Sequence, residues 1–147
     1  MKRTWIVFLS AAAALSLSAA AVAAGNPVEQ RQATMKQVGQ SMKDAAGYAT
    51  GKTPWDAANA KAVMAVISAD AKKLKGLYPA GSDRDGKSEA LPAIWQNKAD
   101  FEKKLADMGS AAEAAGKAAD QASFQAAFKD VGKTCAACHS TYRKKAS

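Results

Sequence analysis

The chain has 147 residues, 48% of them hydrophobic and 23% charged, and carries a formal net charge of +8. That size suits a single compact domain able to bury a core without disulfides. The basic residues are spread along the chain rather than gathered, which argues against a nucleic-acid binder and favours a solvated exterior with a preference for acidic partners.

The first 24 residues read as an export leader. Lys2 and Arg3 precede an apolar run from Trp5 to Leu17, and small residues follow at Ala21-Val22-Ala23-Ala24. The run is short for a membrane-spanning helix, so cleavage after Ala23 or Ala24 is expected rather than a retained anchor. Processing would remove Lys2 and Arg3 and leave 19 basic against 13 acidic residues, about +6. Residues 25–147 are then one domain.

Alternating β-branched runs are absent, and the rest of the chain reads as helical. The first helix is predicted to start at Asn26-Pro27-Val28-Glu29, with Asn26 as cap, Pro27 at the first helical position and Glu29 at capping-box spacing, and to end near Gly51. Its apolar stripe is Val28, Arg31, Met35, Val38, Met42, Ala45 and Ala49, so an arginine occupies a core-facing slot. The second helix is predicted from Thr53-Pro54-Trp55-Asp56 to Leu77, before Pro79. Residues 79–91 form a long loop. A third helix opens at Pro92 with Ile94, Phe101, Leu105, Met108 and Ala112 on one face, and a fourth follows Gly116 and Asp120. The stripe of the last is Phe124, Ala127, Phe128, Val131, Cys135, Cys138 and Tyr142. Four such helices, with a short connection between the first two, predict an all-α, antiparallel up-down-up-down bundle.

Both cysteines and the only histidine fall within five positions, in the stretch Cys135-Ala-Ala-Cys138-His139. At spacings of three and four on a helix, the three side chains share one neighbourhood near the apolar face. Cys-x-x-Cys-His is the attachment signature of c-type haem, in which two thioethers anchor the macrocycle and the adjacent imidazole reaches the iron. A thioredoxin-type dithiol would sit beside a βαβ pattern, which is missing. A zinc or copper site would lack a fourth ligand of this kind, since there is no second histidine. Buried cysteines beside a surface histidine are the remaining alternative. Arg31 fits the haem reading, because a buried guanidinium needs an anion and haem propionates would supply one; otherwise it snorkels to solvent. Met35, one turn further on, is either core filler or a group that approaches the iron opposite His139.

With these motifs the chain resembles the cytochrome c' class of c-type cytochromes, four-helix bundles with haem near the C-terminus. The resemblance rests on Arg31-Gln32-x-x-Met35-Lys-Gln-x-Gly39, on Ser88-Glu-Ala-Leu-Pro-Ala-Ile-Trp95, and on Val131-Gly-x-x-Cys135-x-x-Cys138-His139-x-x-Tyr142-Arg143. It implies one covalent haem c on Cys135 and Cys138, axial ligation by His139, haem-edge contacts from Arg31, Gln32 and Glu89, and Arg143 near the proximal side of the iron. Met35 becomes the distal residue, either packed over a five-coordinate iron that admits NO or CO, or bound to it as sixth ligand in a low-spin electron carrier. The leader places the protein in the periplasm, and with the one histidine spent on the iron no distal acid-base group is offered, so no enzyme is expected; redox partner proteins are expected, and the resemblance also implies a homodimer through the first two helices. Val63 and Ile67 would line the dimer seam or complete the core.

Overall fold

Asn26 starts the first helix by accepting a hydrogen bond from Val28 N at 2.8 Å, with Pro27 directly behind it. The computed structural model describes residues 25–145, so the leader expected over residues 1–24 lies outside the described residues. Helix α1 runs Pro27–Thr50, α2 Ala57–Leu74, α3 Ala93–Gln96, α4 Lys98–Ala115 and α5 Gln121–Tyr142. Helix α1 packs on α2, α2 on α4, α4 on α5 and α5 back on α1, closing the square of a four-helix bundle. Among the described residues, no helix is long and apolar enough to cross a membrane.

Several boundaries differ from the sequence reading. At α1 the Asn26 side chain serves Val28 rather than the third helical residue, so the expected capping box is replaced by a simpler cap. Helix α2 begins three residues later than expected, with Asp56 accepting from Asn59 N at 2.9 Å. Pro54 disfavours helix at Thr53, Thr53 N bonds back to Gly47 O at 3.0 Å, and Trp55 turns inward onto Phe124 at 5.4 Å between ring centroids. Gly47 permits this reversal, since a Cβ there would lie 2.5 Å from Thr53 Oγ1. At its far end α2 stops at Leu74, and Gly76 and Leu77 finish in tight turns onto Lys73 and Leu74 carbonyls. The expected third helix is broken at Asn97, whose φ of −125° and ψ of 49° separate the single turn of α3 from α4. Its stripe survives the break: Ile94, Phe101, Leu105, Met108 and Ala112 are all buried. At α5, Asp120 and Ser123 form a full capping box.

The core is built from Met64, Ile67, Leu74, Ile94, Phe101, Phe124 and Val131, each 2% exposed or less. Burying such a side chain contributes about 1.5–3 kcal/mol. Ile67 is wholly buried and completes the core, while Val63 is half-buried and packs against it. Helices α2 and α4 approach closely where Gly109 faces Ala71, with room for a Cβ only at 3.4 Å.

One buried group is poorly provided for. Asp70, on α2, is 6% exposed, and its Oδ2 finds no hydrogen-bond donor among the described residues. Burial raises its pKa above the ordinary 3.8, with Lys73 opposing. A carboxyl that holds its proton more tightly when folded adds stability at low pH and loses it as pH climbs past 3.8 through the raised value. Asp70→Asn should therefore stabilise the protein at pH 7 by about 1–2 kcal/mol, with the gain vanishing near pH 3 in thermal melts. An equal gain at both pH values would show that the charge is not the cause.

Candidate functional site

At one end of the bundle a cavity of about 600 Å³ opens between α1, α5 and the 79–91 loop. That is within the usual range for a small-molecule or cofactor site. Helix α5 contributes Cys135, Cys138 and His139, because steps of three and four residues bring them to one face. Helix α1 contributes Arg31, Gln32, Met35, Lys36, Val38, Gly39 and Met42. Ile94, Phe101 and Tyr78 supply apolar and aromatic surface, while Glu89, Ala90 and Arg143 close the side nearest His139. Every residue singled out in the sequence, Arg31, Gln32, Met35, Glu89, Cys135, Cys138, His139 and Arg143, therefore borders the same space.

No disulfide joins Cys135 to Cys138. Cys138 is 8% exposed, and burial pushes its thiol up to about 11. Burial raises the Cys135 thiol as well, so both are protonated at neutral pH in the chain without cofactor. His139 stands at the cavity edge. Partial desolvation, reinforced by Arg143, lowers its pKa, while Glu89 pulls the other way. A neutral imidazole is the form that can donate a lone pair to a metal.

Arg31 departs from the expectation that its guanidinium requires an anion. It is 4% exposed, so it does not snorkel. Nη1 donates to Ser82 Oγ at 2.9 Å and Leu77 O at 3.4 Å, and Nη2 donates to Ser82 O at 2.8 Å and Ser88 Oγ at 2.5 Å. The guanidinium also lies 4.9 Å over the Tyr78 ring. Neutral oxygens of the loop thus satisfy it, although no carboxylate pairs with it among the described residues. Gln32 extends the attachment through Nε2 to Lys87 O at 2.8 Å.

The C-terminus grips the same loop from the other side. Ala90 and Arg143 form an isolated antiparallel bridge, with Leu91 N donating to Tyr142 O at 2.9 Å and Lys144 N to Glu89 O at 2.8 Å. Arg143 donates from Nε and Nη2 to Glu89 Oε2, each at 2.8 Å, so the two residues expected separately near the cofactor are partners. Below them Phe101 stacks edge-on between Tyr78 at 4.6 Å and Tyr142 at 5.4 Å. Tyr142 Oη donates to Asp100 Oδ2 at 2.6 Å, which together with burial raises its pKa to about 12.

The roles of Tyr78, Ser82 and Ser88 around Arg31 are not legible in the sequence, although Ser88 opens one of the motifs that carry the resemblance. These residues lie in or beside a loop with no periodicity, and only the partner of a buried arginine could have pointed to them. Among the described residues there is no cluster of three or more His, Cys, Asp or Glu able to hold a metal ion.

The residues fit a haem. Two thiols and an imidazole share one wall, apolar and aromatic groups line the interior, and Lys36 is a cation on its border alongside Arg31 and Arg143, which are held by the loop and by Glu89. Bundle and site together define a c-type haem protein. The family model for Cytochrome C' matches residues 26–143. The chain belongs to the cytochrome c' family, whose members are electron carriers or gas-binding haem proteins, and it carries covalently bound haem c. It is 44% identical over 131 residues to cytochrome c-556 of Agrobacterium fabrum, covering 88% of each chain. Its fold is similar to that of cytochrome c' from Rhodopseudomonas palustris, with a TM-score of 0.79 at 38% identity, covering 84% of this chain and 99% of that one. A nitric oxide complex of a mutant cytochrome c prime from Alcaligenes xylosoxidans matches with a TM-score of 0.72 at 30% identity, covering 81% and 94%.

If Arg31 fastens the loop as described, Arg31→Leu should cost about 2–4 kcal/mol in denaturant titration, since it strands buried oxygens of Ser82 and Ser88. Arg31→Lys should recover less than half, because one ammonium cannot serve the same fork of acceptors. Full recovery by lysine would show that charge alone matters.

Proposed function

We propose that the processed domain, residues 25–147, is a periplasmic haem protein that carries electrons and binds NO or CO on its α1 side. In this reading Cys135 and Cys138 form the thioethers, His139 is the axial ligand, and Arg31, Gln32 and Glu89 border the haem edge. The observation that carries it is the convergence of both thiols, the imidazole and the α1 methionines on one cavity. Bound there, haem supplies reversible one-electron chemistry and an iron able to take a diatomic ligand.

The chain's own residues determine access. Met35, Val38 and Met42 make the middle of the α1 wall apolar and bulky, which excludes water and hydrogen-bonding ligands while leaving room for small gases. Arg31 is occupied by the loop, and Glu89 is tied to Arg143 beside His139, so neither is free as an acid-base group over the distal face. That supports a carrier rather than an enzyme. The excess of basic residues favours encounter with acidic redox partners. The leader pattern at the N-terminus supports export, and N-terminal sequencing of the exported protein should begin near residue 24 or 25. Homodimerisation through α1 and α2 is carried over from the family and is tested by sedimentation.

A second reading has its own observation: Met35 is half-buried and borders the cavity, where a thioether could serve as sixth ligand. Adding CO to the reduced protein separates the two. With an open site, the Soret band shifts at once, and Met35→Ala tightens CO binding by about tenfold, or about 1.4 kcal/mol. With methionine ligation, the parent spectrum stays unchanged and only Met35→Ala responds. A protein purified from a host competent in cytochrome maturation whose thiols can still be alkylated would defeat both.

A further inference from the structure

Gly39 lies well inside α1, where glycine is unfavourable compared with alanine because it costs backbone entropy and adds no packing. The fold offers no reason for it. Positive φ is confined to Gly51 and Gly81 among the described glycines, so Gly39 has ordinary helical backbone. A Cβ built on Gly39 meets no heavy atom within 4 Å. Of the other helical glycines, Gly47 meets Thr53 Oγ1 at 2.5 Å and Gly109 meets Ala71 Cβ at 3.4 Å, while Gly132 on α5 also meets no heavy atom but, unlike Gly39, does not border the cavity.

What Gly39 does border is the cavity. On the helix it neighbours Met35 four residues before and Met42 three after, both lining the same space. Two flexible thioethers therefore flank a strip of bare backbone. Such a strip lets a flat ring lie closer to the helix axis than any side chain would permit, and methionine's adaptable chain packs well around an aromatic edge.

We propose that Gly39 is a recess in the α1 wall against which the haem macrocycle rests, with Met35 and Met42 clasping it on either side. The inference rests on the cavity being the seat of the haem, as argued above. The recess sets how near α1 comes to the ring. Position 39 is thus a positioning residue whose size limits loading and tunes the distal space.

The test compares Gly39→Ala and Gly39→Leu with Gln40→Leu, an exposed neighbour outside the cavity lining, all expressed with a cytochrome maturation system. Covalent haem per chain, the Soret position and far-UV helicity are measured. Gly39→Leu should lose at least half of its haem and displace the Soret band of the remainder, Gly39→Ala should fall between it and the parent, and Gln40→Leu should load normally. In the haem-free chain Gly39→Ala should keep or raise helicity, since alanine is the better helix former; a fall there would assign the glycine to folding and overturn the proposal. Full loading of Gly39→Leu with a parental spectrum would overturn it, as would equal haem loss in Gln40→Leu. A parent that takes up no haem would bring down the haem-seat reading first and this inference with it.

Discussion

A buried guanidinium holds the functional end of this bundle together. Arg31 projects from the first turns of α1 into the 79–91 loop, where hydroxyl and carbonyl oxygens of Ser82, the hydroxyl of Ser88 and the Leu77 carbonyl receive it. Stripping water from such a group is costly, so the loop must keep its shape for as long as the arginine stays inside. Because Glu89 and Ala90 leave the same loop to wall the cavity, the conformation of that wall depends on a side chain remote from it in sequence, 51 residues before Ser82. The C-terminal residues complete the hold through the Ala90–Arg143 bridge and the Glu89–Arg143 ion pair. The ion pair is half exposed and contributes modestly, whereas the backbone bonds and the buried fork carry the constraint.

The two ends of the bundle are built differently. At the α1–α2 turn, Trp55, Phe124 and Phe128 pack against one another and leave little space. At the cavity end the aromatic residues Tyr78, Phe101 and Tyr142 form a floor and the space above them is left open.

The architecture was legible in the apolar stripes because helical periodicity is local and each stripe reports a buried face. Ile94 through Ala112 kept that face even across the break at Asn97, which no propensity signalled. Cys135, Cys138 and His139 were legible because they are contiguous and their spacing answers to the macrocycle they bind. Arg31 was recognised as misplaced on an apolar face, but its partners were not: Ser82 and Ser88 lie 51 and 57 residues away, and nothing in a loop sequence announces which charge it will receive. The start of α2 is not legible for a related reason, since Trp55, just before the Asp56 cap, packs on Phe124 from another element.

By itself the sequence determined the helices, their buried faces and the chemistry of the C-terminal motif, because each depends on residues a few positions apart. Only the tertiary structure decided that Arg31 would be met by loop oxygens, that Glu89 and Arg143 would pair, that Ile67 would lie inside, and that Gly39 would face open space. Those outcomes depend on distances between segments remote along the chain, which are set when burial and hydrogen bonding are satisfied across the whole bundle at once.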